Sequence, residues 1–166
     1  SLVWLINQPV ASPLLATRRG EGQLSIDAGS VDLFGTLTLH GSQLTRIGSD
    51  SDVRFIGRAT SSTGQPPEQK GWLHTAGDLE FTATQLYPTT RTSFHVNVGD
   101  PLSASATPGG SLKVLSNGKA PGDVYSAGGA LSLQADTIEQ SGVVKAPLGS
   151  LELSAGRLLD LSPNSV

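Results

Sequence analysis

The sequence predicts an all-β chain wound as a parallel β-helix, a solenoid of about 20 residues per coil. Three features predict it: a recurring phrase, a two-residue alternation inside each phrase, and an abundance of turn formers. The phrase is a Gly, one or two small or polar residues, then Leu-x-apolar. It occurs at Gly22-Gln23-Leu24-Ser25-Ile26, Gly77-Asp78-Leu79-Glu80-Phe81 and Gly110-Ser111-Leu112-Lys113-Val114. It returns at Gly129-Ala130-Leu131-Ser132-Leu133 and Gly149-Ser150-Leu151-Glu152-Leu153. Leu112, Leu131 and Leu151 stand 19 and 20 residues apart, and a weaker copy, Ser42-Gln43-Leu44-Thr45, follows the first by 20.

Each element follows from local pattern. Leu2 to Ile6 is the longest apolar run, and it reads as a strand belonging to a preceding coil; the chain then turns Pro-rich up to Arg19. Each phrase alternates apolar and polar, the mark of a short half-buried strand. Gly57 to Gly71 carries Pro66-Pro67 and reads as the first loop excursion. Gly99 to Gly110 is the second, and Ser116 to Gly128 the third. Between Leu133 and Leu151, Thr137-Ile138-Glu139 and Gly142-Val143-Val144-Lys145 supply two more short strands, three per coil. Arg157 to Asp160 is the best helix candidate and is too short to count. The whole of 1–166 is thus one β-helical segment, with excursions at 57–71, 99–110 and 116–128. About eight coils at ~4.8 Å each, before the loops are subtracted, make a rod of roughly 40 Å. Leu131 and Leu151 are expected in its interior.

Composition narrows the functional classes. Gly 20 and Pro 10 supply corners, while charged residues are only 15%. A net charge of -3 speaks against a nucleic-acid partner, which requires a basic surface. No apolar run approaches the ~20 residues of a membrane span, so no membrane insertion is expected. With no Cys there is no disulfide framework or thiolate metal site. With no Met, the sequence is expected to be a piece of a longer product.

Residues able to do chemistry are scattered. His40, His74 and His95 have no partners at metal-ligand spacing and could meet only across coils. Gly48-Ser49-Asp50-Ser51-Asp52 resembles half a calcium loop but lacks the downstream Gly and Glu, so a solvated turn is expected. Among the carboxylates Asp27, Asp32, Asp78, Glu80, Asp136, Glu139, Glu152 and Asp160, Glu80 and Glu152 occupy the same outward place in their phrases as Ser25, Lys113 and Ser132. That periodicity explains them without an active site. Phe81 and Phe94 read as interior, and Trp72, beside the first loop, as a candidate contact residue. No catalytic, cofactor-binding or metal-binding residue is assigned, and no cofactor is expected.

Two stretches carry a family resemblance. Gly77 to Thr90 (GDLEFTATQLYPTT) and Gly128 to Leu151 (GGALSLQADTI, then GVVKAPLGSL) resemble the filamentous haemagglutinin-like exoproteins of bacterial two-partner secretion. The closing Leu161-Ser162-Pro163-Asn164-Ser165-Val166 is similar to the ending of such a coil. The resemblance spans roughly residues 20–166. It implies a right-handed β-helix in a long secreted fibre at the bacterial cell surface, commonly an adhesin and a virulence factor. It also implies export by an outer-membrane transporter through a region outside this sequence. The family's secretion domain carries Asn-Pro-Asn-type motifs; Asn7-Gln8-Pro9 is not one, so an interior or C-proximal segment is expected. Its partners would be neighbouring coils of the parent exoprotein and a host or bacterial surface receptor or glycan. The segment would be a non-enzymatic structural shaft. The alternatives are a polysaccharide-acting enzyme on the same scaffold, or a receptor- or glycan-binding module acting through the loops.

Overall fold

The computed structural model describes residues 1–6, 18–60, 68–99 and 109–162. Among these the chain is all-β, 67% strand with no helix, and its sheets are parallel. The strands are β1 (Leu2–Ile6), β2 (Gly22–Ala28), β3 (Ser30–Phe34), β4 (Thr36–Leu39), β5 (Ser42–Ser49), β6 (Asp52–Ile56) and β7 (Arg58–Thr60). They continue with β8 (Glu68–Thr75), β9 (Asp78–Ala83), β10 (Gln85–Pro88), β11 (Thr92–Val98), β12 (Ser111–Ser116), β13 (Ala130–Gln140) and β14 (Ser150–Leu161). Residues 157–160 thus extend as part of β14.

A four-stranded sheet runs β1-β3-β6-β10. A ten-stranded sheet curls strongly into a half-barrel. One of its limbs is β2-β5-β9-β12 and the other β4-β8-β11. The long strand β13 joins them, because Ala130–Gln134 pairs with β11 and Thr137–Gln140 with β12. Its register shifts against β14 between Ala135 and Thr137, where the strand turns from one limb to the other. From β2 to β12 the chain visits the first limb, the four-stranded sheet and the second limb in strict rotation. All pairings among these strands are parallel except the β7–β8 hairpin.

Register fixes which residues stack. In the first limb one inward row is Leu24, Thr45, Leu79, Leu112, Ile138, Leu159, and the next is Ile26, Ile47, Phe81, Val114, Gln140, Leu161. The second limb stacks Leu37, Leu73, Val96, Leu133 and Leu153. The four-stranded sheet stacks Val31, Val53 and Leu86. Alternation therefore buries every second residue, as in β9 and β11. The three faces meet at Phe55, Phe81 and Phe94. Phe55 meets Phe81 edge-on at 5.8 Å and Phe94 at 5.0 Å. Gly71 makes room for this contact, since a Cβ there would strike the Phe94 ring.

Polar side chains bond across several of the corners. Ser42 and Thr45 share a hydroxyl bond of 3.0 Å, and Thr89 and Thr92 one of 2.9 Å. Asn117 donates to the Ser49 carbonyl at 3.0 Å and to the Thr84 hydroxyl at 2.9 Å, tying three levels together. After Asn117, residues 118–129 leave the stack without forming a strand. Val144 drops into the row they vacate. It bridges Leu86 directly, with Leu86 N donating to Val143 O and Lys145 N to Leu86 O, both at 2.9 Å.

Several expectations need correction. Among the described residues the longest row holds six levels. Leu24 pairs with Thr45, so the inward residue of the weak second phrase is Thr45 and not Leu44. The 19-residue step from Leu112 to Leu131 links two different limbs; the level above Leu112 is Ile138. Leu131 is sealed at 1% exposure, whereas Leu151 is 40% exposed, since no described strand lies on the far side of β14. The first excursion is partly the β7–β8 hairpin, and residues 61–67 lie outside the described set, as do 100–108 of the second. The excursions leave at three different junctions: β6 to β8, β11 to β12, and β12 to β13.

Candidate functional site

Parallel stacking converts outward residues into columns, and four columns carry the polar chemistry. On the first limb, register aligns Ser25, Arg46, Glu80, Lys113, Glu139 and Asp160. Charges alternate through its middle: Arg46 lies 3.6 Å from Glu80, and Lys113 lies 2.7 Å from Glu139. The Glu139 contact, aided by Glu80, holds the Lys113 ammonium above its usual pKa. Solvent screens such pairs, so each contributes little stability. A groove of about 510 Å³ opens beside the column, lined by Asp27, Arg46, Ser49, Glu80, Thr82 and Asn117. Gly48 leaves room in it for the Asp27 carboxylate. The groove offers alternating donors and acceptors to a polar ligand.

On the second limb the outward residues are Trp72, His95, Ser132 and Glu152 in one column, and His74, Asn97, Gln134 and Ser154 in the next. Trp72 and His95 stack at 5.9 Å with an 18° tilt. His74 Nδ1 lies 3.3 Å from the Asn97 amide, and its buried Nε2 has no hydrogen-bond partner. Burial, with His95 as a second cause, lowers the His74 pKa below 6.5. The unfolded chain therefore protonates His74 first as pH falls. The stability associated with neutral His74 is complete above about pH 6.5 and is lost as pH drops through the folded-state pKa. Urea midpoints measured from pH 7.5 to 5 should fall on the acid side. His74→Gln should flatten the part of that slope owed to this ring, and an unchanged slope would dismiss His74 as its source.

The four-stranded sheet carries the fourth column: Trp4, Asp32, Arg54, Tyr87. Arg54 Nε and Nη2 each donate to Asp32 at 2.7 Å, which raises the guanidinium pKa. Gln85 and the Tyr87 hydroxyl both donate to Asp52 Oδ2 at 3.2 Å. Burial, then Asp52, lifts the Tyr87 pKa.

The structure thus brings His74 and His95 near one another and Trp72 onto His95, while His40 is exposed just after β4. Among the described residues no three His, Asp or Glu side chains gather into a metal-binding group. Asp50 faces Lys119 and Asp52 faces Gln85 and Tyr87, so the two carboxylates diverge. Asp78 binds Arg19 and the Ser111 amide, and Asp136 binds Arg157. Glu152 stands with Ser132 on the second limb, apart from the column of Ser25, Glu80 and Lys113 in which the phrases had placed it. Arg46, Arg54 and Asn117 went unnoticed in the sequence; an outward register of 21 residues from Ser25 would have reached Arg46. No family model matches the chain, and no curated protein or solved structure matches it.

Proposed function

We propose that the chain is a right-handed parallel β-helical shaft segment of a large secreted bacterial surface fibre, acting as a structural and interaction module rather than as an enzyme. One observation carries the reading: the inward row from Leu24 to Leu159 continues unbroken through six parallel levels. Rotation of the chain around three faces is the course of a solenoid, and parallel crossovers are almost always right-handed. Stacked backbone pairing and a continuous apolar interior make a stiff rod suited to display distal binding regions. The groove and polar columns give its sides contact surfaces for a receptor or glycan. In this reading an outer-membrane transporter exports the parent chain, and its coils flank this one. The haemagglutinin-like phrases at 77–90 and 128–151 support that origin.

Two experiments test the reading. Deleting residues 131–150 removes one whole level and sets Leu151 beside Phe94, where Leu131 stood. The product should keep its strand circular dichroism and a cooperative melt, whereas deleting 131–140 should abolish both. Equal damage from the two deletions would refute the solenoid. The reading frame around the segment should encode a long repeat exoprotein beside an outer-membrane transporter gene. A short enzyme gene there would refute the fibre.

A further inference from the structure

We infer, independently of the shaft reading, that Asn117 is a self-modification site, whose amide the folded corner holds back from conversion to an acid. Asn117-Gly118 is the one Asn-Gly pair in the sequence. In such a pair the Gly backbone nitrogen can attack the Asn side-chain carbonyl carbon, because no Cβ crowds its approach. The bond from Gly118 N to Asn117 Cγ forms, and the Cγ–Nδ2 bond breaks. The proton of the Gly118 N–H leaves with the amide nitrogen as ammonia, and a cyclic imide remains. Water, the only co-reactant, then opens the ring. Scission at Cγ gives Asp. Scission at the backbone carbonyl gives isoaspartate, with an extra methylene in the main chain.

The corner holds both the susceptible pair and its restraint. Gly118 is exposed, with a φ of +81° and open space around it, and it begins the 118–129 excursion. Exposed segments without strand pairing open locally at small cost. In the closed corner every polar atom of the reaction is engaged. Asn117 Nδ2 donates to Ser49 O and Thr84 Oγ1, and Asn117 Oδ1 accepts from Lys119 N at 3.0 Å. Gly118 N donates to Ser116 Oγ at 3.1 Å, which retains the proton that must leave. Asn97 differs: it lies inside β11 before Val98, whose branched side chain crowds the attacking nitrogen. The exchange at 117 is disruptive. It replaces two N–H donors with a carboxylate oxygen that faces the Ser49 carbonyl. It also adds negative charge to a groove lined by Asp27, Asp50 and Glu80. The tie between levels is then lost for good, so the acid records that the corner has opened.

The chain is incubated in mildly alkaline buffer, with and without guanidinium chloride, and tryptic peptide 114–119 is followed by mass spectrometry. In denaturant it should gain the amide-to-acid mass shift as a mixture of Asp and isoaspartate at 117. In the folded chain the same shift should be slower by roughly tenfold or more. The peptide carrying Asn97 should keep its amide throughout. Ser116→Ala and Thr84→Val should each speed the folded reaction about fivefold, the effect of one ordinary hydrogen bond on the open fraction. Neither should change the rate in denaturant. Asn117→Asp should lower the urea midpoint. Equal rates with and without denaturant would overturn the protection, and a peptide 114–119 unchanged even in denaturant would overturn the site. A native midpoint for Asn117→Asp would overturn the loss of the tie. All of these outcomes leave the reading-frame test of the fibre untouched.

Discussion

Phe55→Ala is expected to lower stability by about 3–5 kcal/mol, the cost of emptying an aromatic site in a packed core. Phe55 is fully buried and touches one ring from each limb of the curled sheet, Phe81 and Phe94. Its loss opens a cavity where three faces converge, and the surrounding strands cannot close it without breaking their hydrogen-bond ladders. Two aromatic contacts go with it, each of ~0.5–1.5 kcal/mol beyond burial. Urea unfolding followed by circular dichroism measures the effect. A loss under about 1 kcal/mol would mean that the three faces pack independently and that Phe55 is no shared centre.

The second large effect is electrostatic. Asp32 is only 1% exposed, and Arg54 donates to both its carboxylate oxygens. Arg54→Ala strands that carboxylate, a change that costs ~3–5 kcal/mol for a fully buried pair. The Arg54 side chain is 38% exposed, so water reaches part of the gap and about 2–3 kcal/mol is the expected loss. Replacing both residues by Leu should recover most of it, since the desolvated charge goes as well. A double-mutant cycle in urea separates the two cases. Equal losses from the single and double changes would show that the side chains matter here only through packing.

The fold was legible where chemistry repeats locally. Alternation in Leu79-Glu80-Phe81 and Leu131-Ser132-Leu133 marks strands because neighbouring side chains must point opposite ways. The order of stacking was harder to read. Thr45 occupies a Leu position and stays buried by sharing its hydroxyl with Ser42, so an apolar template slides onto Leu44 instead. Excursions of different length separate Thr45 from Leu79 and Leu112 from Ile138, which erases any fixed period. Phrases that look alike, at Leu112 and Leu131, then belong to different limbs. The polar columns were hidden for the same reason: Arg46 and Glu80, or Asp32 and Arg54, are neighbours only once the register is known. Partners 22 or 34 residues apart leave no local trace.

In the proposed shaft, the Leu86–Val144 bridge would also govern how load is borne. Hydrogen bonds between levels run along the stacking axis, so tension on the chain ends meets them one level at a time, as in a zipper. At most levels a strand can peel once its outer neighbour has gone. Residues 143–145 instead grip β10 past the level that 118–129 leave open, fastening together levels that are not successive. In the proposed shaft that clasp is expected to hold the core shut while 118–129 extends under load.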